Sequence, residues 1–166
     1  MPNWCNNEGS ISASKEKIDS IVDFLSSAGD VEDAPMTGLL EHLIPNPSGE
    51  WDYDWSVLNW GTKWDALIMD WSRVSENCVY LTFDTAWSPP IAAYDKLTED
   101  GYTIDLSYHE EGMSIVGQYI DGKQETYEYS DMESLDDIPK ELVENWILRD
   151  ILEERAEMEI EEADEE

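Results

Sequence analysis

Trp60, Lys63, Trp64 and Trp87 have the clearest chemical potential in this sequence. Indole rings stack on bases and other flat ligands, and Lys63 places a cation among them in an acidic chain, so the four could hold a nucleotide-like molecule. The competing reading is structural: large aromatics around the Gly61 turn pack as a small second core, and Lys63 pairs with a carboxylate such as Asp65. Asp52 and Asp54, one residue apart between Trp51 and Trp55, could share a magnesium or calcium ion if the segment is extended. No third ligand follows at a recognisable spacing, so no metal site is expected. His109 stands beside Glu110 and Glu111, where an imidazole could act as a general base; His42 is the other histidine. No serine or cysteine nucleophile lies in a recognisable motif, and no phosphate loop or dinucleotide fingerprint is present. A non-enzymatic protein without a cofactor is the expectation.

Charge is the strongest signal. The 166 residues carry 40 Asp and Glu against 9 Lys and Arg, a formal net of -31. Phosphate contacts need clustered Lys and Arg, so direct nucleic-acid binding is disfavoured, as is an anionic membrane. Self-repulsion on this scale costs stability. The bland explanations are solubility or a salt-rich setting. The sharper one is mimicry, because duplex DNA carries one charge per ~1.7 Å and roughly 15 base pairs would match this chain. The densest acids lie at the end: Glu153, Glu154, Glu157, Glu159, Glu161 and Glu162, preceded by Asp136 and Asp137.

The elements that must carry these groups follow from hydrophobic period and turn chemistry. Residues 4–12 read as a strand. Ser14 caps a helix with Ile18, Ile21, Val22 and Leu25 on one face and Gly29 at its end. Residues 36–66 form a Trp-rich insertion, expected as a packed loop with at most one helical turn near Leu39–Ile44. Residues 66–72 and 77–84 make a hairpin. Ser88 caps a second helix with Pro89 in its first position, Ile91, Tyr94 and Leu97 facing inward and Gly101 closing it. Residues 102–108 and 113–119 alternate as strands, and Asp121-Gly122 turns into 125–129. The order β-α-β-β-α-β with an added hairpin is a ferredoxin-like split βαβ, an α+β fold with an antiparallel sheet and helices on one face. A last helix over 136–156 should pack on this domain of residues 1–135. Like charges at i,i+4 predict that 157–166 frays as an acidic tail. Cys5 and Cys78 are too few for a disulfide framework; both are expected as small buried residues that could bridge incidentally from neighbouring strands.

Three stretches together carry a resemblance: Met1-Pro2-Asn3-Trp4-Cys5-Asn6-Asn7, Asn59-Trp60-Gly61-Thr62-Lys63-Trp64-Asp65 and Thr85-Ala86-Trp87-Ser88-Pro89-Pro90. Over roughly residues 1–120 the chain resembles the YubB-type ferredoxin-like domain family of phage and plasmid proteins. The resemblance implies a ferredoxin-like sheet and a mobile-element origin, and it brings no reaction or catalytic residues.

The leading expectation is a cytoplasmic, phage-encoded protein that binds a host protein through its carboxylates and blocks a basic groove that normally receives DNA or RNA. The alternative is a binder or sponge for a nucleotide-like ligand at Trp60, Lys63, Trp64 and Trp87. A third reading is an acidic accessory protein without mimicry, which an even scatter of carboxylates would favour. Neither the N-terminus nor any internal run has the apolar length of a membrane span.

Overall fold

The computed structural model describes residues 3–27 and 38–165. Six strands, β1 (Trp4–Ser12), β2 (Leu67–Ser75), β3 (Cys78–Ala86), β4 (Thr103–Glu110), β5 (Ile115–Ile120) and β6 (Lys123–Glu128), form one antiparallel sheet in the order β2-β3-β1-β4-β5-β6. Helices α1 (Lys15–Ser27) and α4 (Ile91–Glu99) make the two crossovers, so the fold is the expected ferredoxin-like split βαβ. At the β5–β6 hairpin Asp121 and Gly122 both have positive φ, the two-residue turn that matches strand twist.

Side chains alternate across a strand, so the register sorts them into two layers. Ile11, Val79, Leu81, Phe83, Ile104, Leu106 and Tyr119 share the main core with Ile18, Ile21 and Leu25 of α1 and Ala93, Tyr94 and Leu97 of α4. His109 pairs with Val116, one residue out of phase with Tyr108, and therefore points to the opposite face. There Val116 joins Tyr129, Leu135, Ile138, Leu142, Val143, Leu148 and Leu152 in a second core. The βαβ helices thus occupy one face, and the C-terminal helices cover the β4–β6 side of the other. The rest of that reverse face is open and polar, with Asn6 donating to Asp84 (2.7 Å) and the Tyr80 hydroxyl donating to Glu8.

Several local expectations change. The Trp-rich segment holds the helical turn expected near Leu39–Ile44 as α2 (Leu39–Leu43) and adds a second short helix, α3 (Tyr53–Asn59), where the sequence predicts a packed loop. Asp52 starts α3 by accepting from Trp55 N (2.8 Å), and Asp65 serves α2 from a distance. Ser14 caps α1 weakly, at 3.4 Å from Lys17 N, whereas the predicted cap Ser88 donates to Gly61 O (2.9 Å) and α4 begins after Pro90. The Gly29 cap lies outside the described residues. The single C-terminal helix is two, α5 (Lys140–Asn145) and α6 (Leu148–Glu165), separated where Ile147 takes a positive φ of 48°. The predicted frayed tail is helical to Glu165, as the high helix propensity of Glu, Ala and Met allows.

Cys5 and Cys78 do lie on neighbouring strands, yet Cys5 pairs with Thr85 and Cys78 with Ser12, seven positions along β1. That is roughly 23 Å, far beyond the reach of a disulfide. Both are free thiols, and burial pushes the Cys5 thiol far above its ordinary value, with Glu110 adding to the effect. Among the described residues no helix is long and apolar enough to cross a membrane.

Candidate functional site

The C-terminal acids stand on a helix with two unlike halves. In the first half Leu148 and Leu152 are buried against the reverse face of the sheet. Arg155 then ties the helix down: its guanidinium donates to Ser114 Oγ (2.8 Å) and Glu111 O (2.9 Å) and lies over the Tyr129 ring at 5.4 Å. Beyond it, every residue from Ala156 to Glu165 is exposed, Met158 and Ile160 included. Glu153, Glu154, Glu157, Glu159, Glu161 and Glu162 therefore all face solvent, and Asp164 and Glu165 continue the series. Eight of the forty acids occupy residues 153–165 with one base among them.

Asp136 and Asp137 are exposed on the short 3-10 turn Glu133–Asp137, ahead of α5. They belong to the same layer, but the whole of α5 and the buried start of α6 intervene before the glutamates. Acids also populate other surfaces, including Glu8 and Asp84 on the open sheet face and Glu16, Asp19 and Asp23 along α1. The distribution is broad, with its greatest density on the free half of α6.

The fold brings the two stretches of the predicted aromatic pocket together, with Thr62 Oγ1 donating to Ala86 O (3.0 Å) and Ser88 Oγ to Gly61 O (2.9 Å), but it leaves their rings unequally exposed. Trp60 is 0% exposed, packs edge-on against Trp55 and donates its indole N–H to Ile44 O (3.0 Å), so it is core. Gly61 lets the chain turn there: its φ is 81°, and a Cβ would come within 2.9 Å of Ala92 N. Trp64 is half-buried with its ring 6.2 Å from Trp4, and Lys63 lies over it with Nζ 4.5 Å from the ring centre. Trp87 is 51% exposed. Trp60 is therefore closed to a ligand, while Trp64 and Trp87 keep accessible surface.

Lys63 does not pair with Asp65, which is buried and accepts from the backbone N–H of Gly38 (3.0 Å), Leu40 (2.8 Å), Glu41 (2.9 Å) and Ala66 (2.7 Å). Burial pushes its carboxyl up to about 6, outweighing those four donors. Sequence reading missed this role because the capping residue is 27 positions from the first N–H it serves.

His109 and Glu110 point to opposite faces of β4 and do not act together. Glu110 is buried and accepts from Gly112 N (2.8 Å) and Met113 N (2.9 Å), shaping the β4–β5 turn. His109 is buried beneath Trp146 and within 2.7 Å of the Tyr129 hydroxyl. Burial holds its imidazole below the ordinary histidine value, while Glu111 opposes and Arg155 adds to the shift. His42 stacks on Phe24 and meets Ser20 Oγ at 3.0 Å. Asp52 is a helix cap in place of the extended ligand imagined beside Asp54, and among the described residues no three His, Cys, Asp or Glu groups are placed to hold a metal ion.

Residues 59–166 match the family model described as a ferredoxin-like domain in Api92-like protein. The matched span contains β2 to β6 and the whole C-terminal layer; β1 and α1 precede it. The chain matches no curated protein and no solved structure.

Proposed function

This chain belongs to the family of ferredoxin-like domains in Api92-like proteins, and from that premise we propose that it is a protein-binding module whose working element is the free acidic half of α6. The family description names a fold, and a fold by itself decides no activity. The observation that carries the reading is the exposure of every residue from Ala156 to Glu165 on a helix that the body holds only up to Arg155.

Residues 153–165 carry a net charge of -7. At ~1.5 Å per residue they extend about 20 Å, or roughly one charge per 3 Å. That is close to the ~3.4 Å spacing of phosphates along one nucleic-acid strand and sparser than a duplex. The rod therefore suits a cationic channel or groove that accepts a single strand. In this reading the chain is the product of a phage or plasmid, as its YubB-type stretches suggest. It works in the host cytoplasm, has no catalytic role of its own, and inhibits a host nucleic-acid-binding protein by occupying that groove. Electrostatic steering speeds the encounter, and salt weakens it.

Capture from host lysate on the immobilised protein at low salt tests this. The captured protein should be basic, should be displaced by a short single-stranded oligonucleotide and should elute as NaCl is raised. A captured protein that resists both the oligonucleotide and 1 M NaCl would refute the proposal.

A further inference from the structure

The acidic helix leaves the body beside an aromatic ledge. Trp146 donates to Ser107 Oγ (3.2 Å) and α6 then runs to the β4–β5 turn, where Arg155 binds Glu111 and Ser114. That turn lies at the end of the sheet where β1 begins, since Cys5 pairs with Glu110 and Trp4 with Ala86. Asn3 bridges that turn and Trp87. Asn3 abuts Gly112, where a Cβ would lie 2.5 Å from Asn3 Nδ2, and Asn3 O accepts from Trp87 N (2.8 Å).

Trp87 itself is held in an uncommon form. Its φ is 70° and Ser88 N donates to Ala86 O (2.9 Å), closing a three-residue turn with a bulky residue at a position that usually excludes one. Thr85 Oγ1 donates to Ser88 O (2.6 Å) and Ser88 Oγ to Gly61 O, so the turn is fixed from both sides. The result is a half-exposed indole presented to solvent. An aromatic ring in this neighbourhood already holds a cation, because Lys63 Nζ lies 4.5 Å above Trp64. Strained backbone that displays a side chain is a mark of a binding position.

We propose that the docking surface continues from α6 across the 111–114 turn to Trp87, which takes an arginine side chain of the basic partner on its ring face. The proposal rests on the α6 reading and adds a second anchor to it. A guanidinium stacks on indole better than an ammonium does, so the surface prefers arginine over lysine at equal charge.

The test uses the full chain, 15N-labelled, titrated with nona-arginine and nona-lysine peptides. The Trp87 indole signal, assigned by its loss in Trp87→Asn, and the amides of residues 156–165 should shift with one common Kd. Nona-arginine should bind about three- to fivefold more tightly than nona-lysine, and Trp87→Asn should remove that preference. Asparagine tolerates a positive φ, so the variant keeps the turn. If the α6 amides shift while the Trp87 indole does not, or if the variant keeps the preference, the second anchor is refuted and the acidic helix stands alone. If the α6 amides do not shift at all, both readings fall.

Discussion

Trp60 is enclosed in the main core with residues of α1, α2 and α4, whereas the layer of α5 and α6 covers β4 to β6 and then runs out into solvent. Both layers start from the same principle, an apolar stripe buried against a pleated sheet. They differ in where the stripe stops. In α1 it extends from Ile18 through Leu25 along nearly the whole helix. In α6 it ends at Leu152, and from Ala156 onward every residue is exposed. A helix that continues past its own packing contributes little to the fold, and its surface is free to serve a partner.

Substitution of the two exposed-versus-enclosed tryptophans gives the largest contrast. Trp60→Ala should destabilise the fold by about 3–5 kcal/mol through cavity formation and the loss of a buried donor to Ile44, while Trp87→Asn should change stability by no more than about 1 kcal/mol. Urea unfolding followed by far-UV circular dichroism separates these values, and equal losses would erase the distinction between core and ledge.

Asp65 gives the next effect. Its folded-state carboxyl titrates near 6, above the ordinary 3.8. Between those values the native state binds more protons than the unfolded state, so the Asp65 contribution to stability rises as pH falls from about 6 to 4 and is lost as pH rises back through 6. At most this amounts to about 3 kcal/mol. His109 acts in the opposite sense, because its lowered value makes acidification favour the unfolded state below about 6.5. Unfolding curves from pH 7 to 4 should therefore show a steeper gain on acidification in His109→Phe than in the natural chain. A shallower gain would reverse the His109 assignment, since Asp65 is common to both chains.

The smallest effect on stability should come from the acidic rod. Replacing Glu153, Glu154, Glu157, Glu159, Glu161 and Glu162 together by Gln removes like-charge repulsion without touching a buried contact, so the melting temperature should stay the same or rise slightly. A marked fall would mean that these carboxylates hold the fold and not a partner.

The contrast between layers also decided what could be read from residue order. The period-two strands and the Ile18–Leu25 stripe were legible because each buries one face, and the β-α-β-β-α-β order followed from them. Helix α3 was hidden by its composition: Tyr53, Trp55, Val57 and Leu58 give no clean stripe, although Asp52 was a usable cap signal. The break at Trp146-Ile147 had none, since neither glycine nor proline marks it. Among the site residues, the exposure of the glutamates was legible from their density. The unequal burial of Trp60 and Trp87 was not, because burial of an indole depends on which chain crosses over it. Arg155 was overlooked, yet a single base in a run of acids was a signal that something nearby required it. The conflict between like-charge repulsion and helix propensity at 157–165 was resolved for propensity, which summed over a turn or two outweighs each pairwise repulsion.

The central claim is that negative charge on the free half of α6 drives association. Its most direct test is the slope of log Kd against log[NaCl] for the captured partner, measured with the full chain and with a chain ending at Arg155. The account predicts a steep slope for the full chain, weakening affinity at least tenfold between 50 and 200 mM by analogy with phosphate contacts, and a much shallower slope after removal of residues 156–166. Equal slopes for the two chains would contradict it.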